Sequence, residues 1–560
     1  MKHAEDPFAS GTTPHILLQL HRWFDRNVLE LGRELRLSYL PPLMVYLAAG
    51  ISGLTAIVGT FFVKEYLGLS AEFLAALGFW TMLPWALKMP MGHLVDLVWK
   101  HKAGLIYLGA TLVAVSLLIM VGLLAEPRMM GDVMTAEKWY VLSSLLAPLG
   151  YVLQDTVADA MTVEAVPRVD EQGLPLSDEA IRLGHTTMQT LGRVAIIGGT
   201  ILVAAVNVLM FADAESLDTA GKVAVYLDIY QLALIIPAIS AGGSLLAGFL
   251  RRRHMQQLLA QGYTSAEAAR LIDVRAEEPP PVNWWILGGG LAFLLFSVVM
   301  GLAAIPFNEE IVFAGSIGIV LFLMLRLTRE LSPTARRDLL ATALVIFVFR
   351  AMPGPGAGSS WWMIDVLGFD QSFLSRLSLL ASTLALLGMF LFRRYMAERP
   401  ITDVIVMLTI AGAVLSLPNV AMFYGLHEWT AKLTGGLVDQ RFIALIDTAL
   451  ESPLGQIAMI PMLAWIANSA PPRLKATFFA VMAAFTNLAL SLSQLLTKYL
   501  NQVFTVHREV KDASGAVTVP ADYSELGALF ITVSVIGLIL PLIAVQRVRA
   551  HCRDSNGSAP

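Results

Sequence analysis

The chain has 560 residues, of which 56% are hydrophobic and 15% charged, and its mean hydropathy is +0.66. Soluble globular proteins have about a quarter of their residues charged, so this composition excludes an ordinary soluble domain. Cys552 is the single cysteine, which excludes an internal disulfide and a cysteine metal cluster. The ten histidines have no paired spacing, so we expect no metal site and no cofactor.

Residues 1–38 are predicted to form a cytoplasmic segment, and we expect no signal peptide because the first residues are polar. Within this segment, His15 to Arg36 has leucines at helical spacing on one side and arginines on the other. The pattern is typical of an amphipathic helix that lies on the membrane surface. A helix that caps the transmembrane bundle would show the same pattern.

About fourteen apolar runs follow, each close to the roughly 20 residues that a membrane-spanning helix needs. They lie near residues 41–63, 72–95, 104–124, 139–163, 184–210, 225–250, 284–305, 311–327, 338–353, 372–394, 401–423, 440–467, 473–500 and 524–546. The ninth run ends at PGPGAGSS, so we expect a broken helix there that resumes near Trp361. The sequence therefore predicts an all-α membrane protein with about 14 spans.

The order of these runs divides the chain into two six-helix halves with two extra central transmembrane helices. The predicted segments are an N-terminal half over 39–250, a cytoplasmic linker over 251–283, the two additional helices over 284–327, a C-terminal half over 328–548 and a cytoplasmic tail over 549–560. The extra helices are almost wholly apolar, so we expect them to pack outside the central cavity. Most lysines and arginines lie in the termini and in the loops on the same side. This bias predicts cytoplasmic termini in a plasma or inner membrane.

Two acids lie inside the fourth run, in the stretch YVLQDTVADAMTVE at 151–164. A carboxylate within a bilayer is costly, so it normally faces a protein interior or a water-filled path. Asp155 and Asp159 are one helical turn apart and share one face. This placement favours a functional site, and a structural ion pair with Arg193 is the alternative.

Cations and amides inside other runs are candidates for the same polar interior. Arg193 shares a helix face with Gln189, and its guanidinium could bind a substrate carboxylate or pair with Asp159. Lys88 could reach the cavity or snorkel to the membrane surface. Arg350 comes just before the helix break, where a cavity can form. Gln456 and Asn487 could contact substrate or hydrogen-bond neighbouring helices.

The loop between the second and third runs contains Gly92-His-Leu-Val-Asp96, followed by Lys100 and Lys102. It resembles the GxLxD-basic loop of the major facilitator superfamily. In that superfamily the acid and the basic residues form a gating charge relay on the cytoplasmic side. The resemblance implies the same role for these four residues.

Stretches from both halves carry a more specific resemblance. They are FFVKEYLGLS at 61–70, LPWALKMPMGHLVD at 83–96, QDTVADAMTVEA at 154–165, Gln189 and Arg193 followed by Gly198 and Gly199, Arg350 with LGFDQSFLSRLSLLASTLALLG at 367–388, and the block at 455–487. Together they are similar to the folate–biopterin transporter family of the major facilitator superfamily. The chain departs from that family at Met352-Pro353-Gly354, at Lys475 and in its two extra helices.

This resemblance implies a secondary active transporter of a folate- or pterin-like organic anion, expected to be a monomer without nucleic-acid partners. A muropeptide-permease-like transporter, another organic-solute permease and a non-transporting receptor are the alternatives. An intramembrane aspartyl protease is disfavoured because both acids share one helix, and no P-loop is present. We therefore expect no enzyme activity.

Two acids and one arginine suggest how transport is coupled to protons. Arg193 would compensate one acid and leave the other to bind a proton. An anionic substrate would compete with Asp155 or Asp159 for Arg193, and the displaced acid would take up a proton while the two halves rock. The sequence therefore predicts proton-coupled alternating access, provided that the two helix faces meet.

Overall fold

The structure is a computed structural model that describes residues 35–556 except 68, 168–175, 273–281, 304, 393–394, 396–398, 456, 458–461, 463–474 and 512–516. The predicted amphipathic helix over 15–36 and Gln456 therefore lie outside the described residues, apart from Leu35 and Arg36. Ten of the described helical segments are long and apolar enough to cross a membrane. They are Leu37–Lys64, Ala103–Ala125, Ala136–Ala165, Thr187–Met210, Ala220–Ala260, Trp284–Gly301, Asn308–Arg326, Gln371–Leu391, Ile401–Phe423 and Leu526–Ala550.

The first half contains the helices α1 to α11. They are α1 (Leu40–Gly50), α2 (Ala56–Tyr66), α3 (Ala71–Met82), α4 (Lys88–Leu97), α5 (Ala103–Ala125), α6 (Pro127–Val133), α7 (Ala136–Ala165), α8 (Asp178–Met210), α9 (Thr219–Ala233), α10 (Ile235–Ala260) and α11 (Ser265–Ile272). Short 3-10 turns over Leu37–Tyr39, Ile51–Thr55, Leu83–Leu87, Trp99–His101 and Ala214–Ser216 join several of them.

The remaining helices are α12 to α22. They are α12 (Trp284–Leu302), α13 (Asn308–Leu327), α14 (Pro333–Arg350), α15 (Ala357–Asp365), α16 (Gln371–Leu391), α17 (Ile401–Leu415), α18 (Leu417–Phe423), α19 (Leu426–Thr434), α20 (Gln440–Glu451), α21 (Lys475–Val503) and α22 (Leu526–Asn556). Two more 3-10 turns cover Thr328–Glu330 and Ser452–Leu454. A small antiparallel pair, β1 (Val510–Lys511) and β2 (Val517–Val519), lies between α21 and α22.

Local chemistry explains where several helices begin and break. Side chains of Ser70, Ser177, Asp218, Asn283, Ser332, Asp370 and Asp439 accept hydrogen bonds from the first backbone N–H groups of their helices. Pro84 lacks an N–H and is the second residue of the 3-10 turn that divides the second predicted span into α3 and α4. Gly356 has φ +77, which an L side chain rarely adopts, so the break after α14 is built on glycine.

Most of the predicted runs contain an observed helix, but ten described segments, against about fourteen predicted runs, are long and apolar enough to span a membrane. The predicted 440–467 run lies partly outside the described residues, and the helix within it ends at Glu451. A further boundary is displaced. The predicted linker starts at Arg251, but α10 continues to Ala260 and α11 lies within the linker. The residues from Arg251 to Ala260 are mostly good helix formers, so polarity alone did not end the helix.

Close backbone contacts hold the first half together. On α5 and α7, Gly109 and Gly150 face each other, and a Cβ at either would lie within 2.6 Å of the other's carbonyl oxygen. On α1, a Cβ at Gly50 would come 2.2 Å from the Ile196 carbonyl oxygen of α8. Only glycine permits these approaches, so the α5–α7 and α1–α8 packing is fixed by sequence.

The two extra helices pack against each other and bridge the two halves. The α12 helix contacts α4, and α13 contacts α21. Near the start of α13, Glu309 and Glu310 each lie 3.3 Å from Lys498 Nζ on α21, and Trp80 Nε1 of α3 donates to Glu309. This hairpin is therefore attached to both halves.

Candidate functional site

One lysine lies between the two acids of the fourth predicted span. Lys88 is the first residue of α4, and its Nζ is 2.6 Å from Asp155 Oδ2 and 2.8 Å from Asp159 Oδ2 on α7. The Tyr46 hydroxyl of α1 donates to Asp159 Oδ1 at 2.7 Å. We call Lys88, Asp155 and Asp159 the lysine–diacid triad. Three helices of the first half meet at it.

The triad holds one more negative charge than positive charge when all three groups are ionised. Its acids differ in access to solvent, since the Asp159 side chain is 43% exposed and the Asp155 side chain 17%. Asp155 is therefore the enclosed counter-ion of Lys88. Asp159 is the acid that faces open space.

The sequence interpretation that Arg193 compensates these acids is wrong for this structure. Lys88 pairs with both, and within the described residues Arg193 forms no ion pair with either. Arg193 still lies near enough to interact electrostatically with Asp155 and Tyr46. Helical periodicity placed Arg193 on a polar face, but it could not tell which cation that face meets. Lys88 also points into the bundle rather than to the membrane surface.

Gln189, Asn487 and Arg350 make contacts between helices. On α8, Gln189 Nε2 lies 3.4 Å from Thr162 Oγ1 of α7, and the Gln189 side chain is exposed. Arg350 Nε donates to the Thr486 carbonyl oxygen of α21 at 3.0 Å. Asn487 Nδ2 lies 3.4 Å from the Trp85 carbonyl oxygen in the 3-10 turn just before Lys88. Asn487 therefore connects the second half to the segment that positions the triad.

The predicted gating loop contains a further ion pair. Lys102 Nζ is 2.6 Å from Glu164 Oε1 at the end of α7, and it lies 4.2 Å from the ring centroid of Trp99. Asp96 lies near the end of α4, and the Lys100 side chain is outside the described part. A Cβ at Gly92 would meet nothing within 4 Å, so contacts do not demand a glycine there. Glu164 was not among the predicted gating residues.

A cavity of about 570 Å³ lies between the two halves. Its lining includes Ser52, Thr55, Thr60, Tyr140, Ser144, Tyr151, Tyr230, Ser360, Trp361 and Gln494, together with small and aliphatic residues. Neither the triad nor Arg350 lines it, but Tyr151 lies one turn before Asp155 on α7. None of the described residues from 284 to 327 lines it. Small-molecule sites enclose about 300–1,000 Å³, so its size suits an organic solute.

The lining residues were missed because single hydroxyls and tyrosines in apolar runs give no distinctive sequence signal. Gln494 had a partial signal, since it shares a polar face of α21 with Asn487 and Ser491. Tyr46 had none. Only the packing of several helices brings these side chains together.

The bundle end farthest from Leu37 and Asn556, which we call the distal end, is closed by bonds between the halves. Lys64 Nζ of α2 lies 2.6 Å from Asp365 Oδ1 of α15. Arg508 donates to the carbonyl oxygens of Val63, at 2.6 Å, and Lys64. Val63 also lines the cavity, so this closure covers the cavity directly.

Two further bonds join the halves at the same end. Gln371 Nε2 donates to the Tyr226 hydroxyl at 2.9 Å, and Gln502 Nε2 donates to Glu72 Oε1 at 2.6 Å. The distal closure is thus a set of bonds spread across the interface.

Comparison with known proteins adds independent findings. The BT1 family model matches residues 308–557. A folate-biopterin transporter from Synechocystis sp. (strain ATCC 27184 / PCC 6803 / Kazusa) is 22% identical over 502 residues, which cover 88% of this chain and 81% of that protein.

Solved transporter structures share the fold. A peptide transporter POT in complex with alafosfalin has a TM-score of 0.57 and 15% identity, and the match covers 91% of this chain and 95% of that one. A POT family transporter in complex with 5-aminolevulinic acid has a TM-score of 0.59 and 11% identity, covering 92% and 96%. At such identities these structures show the fold alone. The predicted all-α, major-facilitator-type bundle is confirmed.

Proposed function

We propose that this chain is a membrane transporter of the folate–biopterin transporter family, which it resembles over residues 308–557 and in its similarity to a folate-biopterin transporter, and that it carries a folate- or pterin-like organic anion by proton-coupled alternating access. The observation that carries the coupling is the lysine–diacid triad. Its single ammonium is shared by two carboxylates. One carboxylate is therefore in excess inside the bundle.

Proton binding at the triad follows from its charge. An uncompensated carboxylate inside a membrane protein is costly, so uptake of a proton by one acid relieves the excess negative charge. Asp159 is the acid that exchanges the proton, because it is the more exposed of the two. Asp155 remains the counter-ion of Lys88. The coupling site proposed from the sequence is thus kept, with Lys88 in the place of Arg193.

Arg193 becomes the residue proposed to bind the anionic group of the solute. The Arg193 guanidinium forms no ion pair within the described residues. It is close enough to Asp155 for the two charges to attract each other. A guanidinium binds a carboxylate through two parallel hydrogen bonds. A bound anion near Arg193 would add negative charge beside the triad. Proton uptake at Asp159 would then balance it.

Alternating access requires two halves whose contacts at the two ends form and break in turn. The distal closure supplies one such set of contacts, through Lys64–Asp365 and Arg508–Val63. We propose that the termini are cytoplasmic and that the membrane is a plasma or inner membrane. In that orientation the described conformation is closed toward the outside. The Lys102–Glu164 pair lies at the opposite end of the first half.

The substrate class is tested with purified protein. Thermal-shift measurements across pterins, folates and muropeptides should show stabilisation by pterins and folates. The same solutes should then drive counterflow in proteoliposomes. Stabilisation by a muropeptide alone would overturn the proposed substrate and favour the muropeptide-permease alternative.

A further inference from the structure

The α12–α13 hairpin lies across the interface between the halves. In that interface α3 of the first half packs against α21 of the second. The hairpin contacts both sides, since α12 packs on α4 and α13 on α21. A single hydrophobic cluster joins the three parts, and it includes Phe79, Leu83, Phe293, Val312, Val481 and Phe485. Any movement of one half against the other therefore acts on the hairpin.

The base of the hairpin is fixed to the first half. At the start of α12, the Asn283 N–H donates to His93 Nε2 of α4 at 2.9 Å. Further along α12, a Cβ at Gly290 would come 2.3 Å from Pro90 Cβ. The two helices of the hairpin are packed just as closely, so α13 is held to α12 and the hairpin moves as one piece.

The tip of the hairpin, which we define as Glu309 and Glu310, is bonded to the second half. Lys498 Nζ lies 3.3 Å from a carboxylate oxygen of each acid, and the Tyr499 hydroxyl donates to Glu310 Oε1 at 2.5 Å. The three charged side chains are between 12% and 23% exposed, so salt screens their attraction only weakly. Among the described residues, the tip has one hydrogen bond to the first half, from Trp80 Nε1 to Glu309 Oε1 at 3.4 Å.

The tip lies near the contacts that close the distal end. Lys498 is one turn before Gln502, whose bond to Glu72 belongs to the distal closure. When the distal end opens, α3 and α21 move apart there, and the tip can follow only one of them. Its bonds to α21 are shorter and include two ion pairs, so the Trp80–Glu309 bond is the one that breaks.

We propose that the α12–α13 hairpin is a strap with its base on the first half and its tip on the second, and that Glu309 leaves Trp80 when the distal end opens. A bond that exists only in the closed conformation stabilises that conformation. The bonds from the tip to Lys498 and Tyr499 persist in both conformations, so they do not change the balance between them. The inference rests on the alternating access of the proposed function.

The test is the rate at which the cavity can be reached from the distal side. Ser144 lines the cavity and Cys552 is the single cysteine, so Ser144→Cys in a Cys552→Ser background is the parent protein. An impermeant maleimide added from the distal side should label Trp80→Phe about fivefold faster than the parent, as expected for the loss of one hydrogen bond. Trp139→Phe is the matched control, because its indole N–H donates to the Met130 carbonyl oxygen within the first half. It should be labelled at the parent rate.

Tyr499→Phe shows to which half the tip belongs. It removes the hydrogen bond to Glu310, which the strap keeps in both conformations, so labelling should stay at the parent rate. Faster labelling of Tyr499→Phe would mean that the tip leaves α21. An unchanged rate in Trp80→Phe would mean that the hairpin is not a strap. Either result overturns the proposal.

Glu309→Asp covers the case in which Trp80→Phe does not fold. The shorter side chain keeps its charge beside Lys498 but withdraws the carboxylate from the indole, so labelling should again be faster than in the parent. Glu126→Asp, at an exposed acid that follows α5, is its control and should be labelled at the parent rate. A parent rate in Glu309→Asp would overturn the proposal.

Failure of this inference and failure of the proposed function give different results, because labelling needs no transported solute. If Trp80→Phe is labelled faster but proteoliposomes accumulate neither folate nor pterin, the substrate proposal fails and the strap stands. If folate or pterin accumulates and Trp80→Phe is labelled at the parent rate, the strap fails and the transport proposal stands.

Discussion

Lys88 Nζ and Asp155 Oδ2 lie 2.6 Å apart and join α4 to α7 across 67 positions of sequence. Lys88 directly follows the 3-10 turn whose Trp85 carbonyl oxygen faces Asn487 of the second half, at 3.4 Å from Nδ2. The 3-10 turn Leu83–Leu87 therefore connects the triad to the interface between the halves. A change of charge at Asp155 or Asp159 acts on Lys88, and through that turn on the interface.

The first prediction concerns the more exposed acid. Asp159→Asn removes the excess negative charge permanently, so the triad stays neutral and no longer exchanges a proton. We expect the variant in proteoliposomes to keep substrate exchange and to lose accumulation driven by an imposed pH gradient. Asp213→Asn, at an exposed acid after α8, is the control and should accumulate substrate normally. Normal accumulation by Asp159→Asn would show that the coupling lies elsewhere.

The second prediction concerns the shared cation. Lys88→Met leaves two carboxylates facing each other without compensation, and breaking a buried ion pair costs about 3–5 kcal/mol. We expect a clear fall in the Tm of the purified protein. The double variant Lys88→Met with Asp155→Asn removes one of the unpaired charges and should regain part of the loss. An unchanged Tm in Lys88→Met would contradict the charge balance described for the triad.

The third prediction concerns Arg193 and the anionic group of the solute. Arg193→Lys keeps the charge but loses the planar pair of donors that grips a carboxylate. The KM for a folate should rise about tenfold, or ~1.4 kcal/mol, while binding of a neutral pterin stays unchanged. Uptake kinetics in proteoliposomes measure the first quantity and detergent binding the second. The matched control is Arg128→Lys at an exposed position of α6. If Arg193→Lys weakens the folate and the neutral pterin equally, Arg193 does not bind the carboxylate of the solute.

The fourth prediction concerns the distal closure. Asp365→Lys replaces the partner of Lys64 with a second lysine. The two positive charges repel each other, so the distal end should open more often. Because Cys552 is the single cysteine, Ser144→Cys in a Cys552→Ser background reports access to the cavity. An impermeant maleimide added from the distal side should label this cysteine faster in Asp365→Lys than in the parent. The double variant Lys64→Asp with Asp365→Lys exchanges the two charges, so it should restore slow labelling. If neither variant changes the labelling rate, the Lys64–Asp365 pair is not part of the closure.

The closure should also resist alkaline pH. Partial burial and the neighbouring Asp365 carboxylate raise the pKa of the Tyr523 phenol, which donates to Asp365. A raised pKa keeps the phenol protonated as the pH rises, so its hydrogen bond persists where an ordinary tyrosine, with a pKa of about 10, begins to ionise. Maleimide labelling of the cavity cysteine should therefore be equally slow at pH 7 and pH 9.5 after correction for thiolate formation. If labelling is faster at pH 9.5 in the parent and in Tyr523→Phe alike, ionisation of a group other than Tyr523 causes the opening.

The sequence by itself determined the helices and the residues that avoid lipid. Span length and apolar composition are local properties, so most of the predicted runs contain an observed helix, although α6, α11 and α19 lie outside all of them. The cost of a carboxylate in a membrane is local as well, and it identified Asp155 and Asp159 without any knowledge of their neighbours. Proline and glycine predicted the break after Arg350 in the same way.

Only the tertiary structure decided which groups meet. The spacing of Asp155 and Asp159 shows that they share a face, but the rotation and neighbours of a helix depend on packing against distant segments. Close contacts such as Gly50 with Ile196 set those rotations, and the result brings Lys88, not Arg193, to the acids. The cavity likewise exists only where both halves pack together. Gln494 alone is an ordinary helix amide, and it lines the cavity only because α21 packs across from residues of α3 and α7.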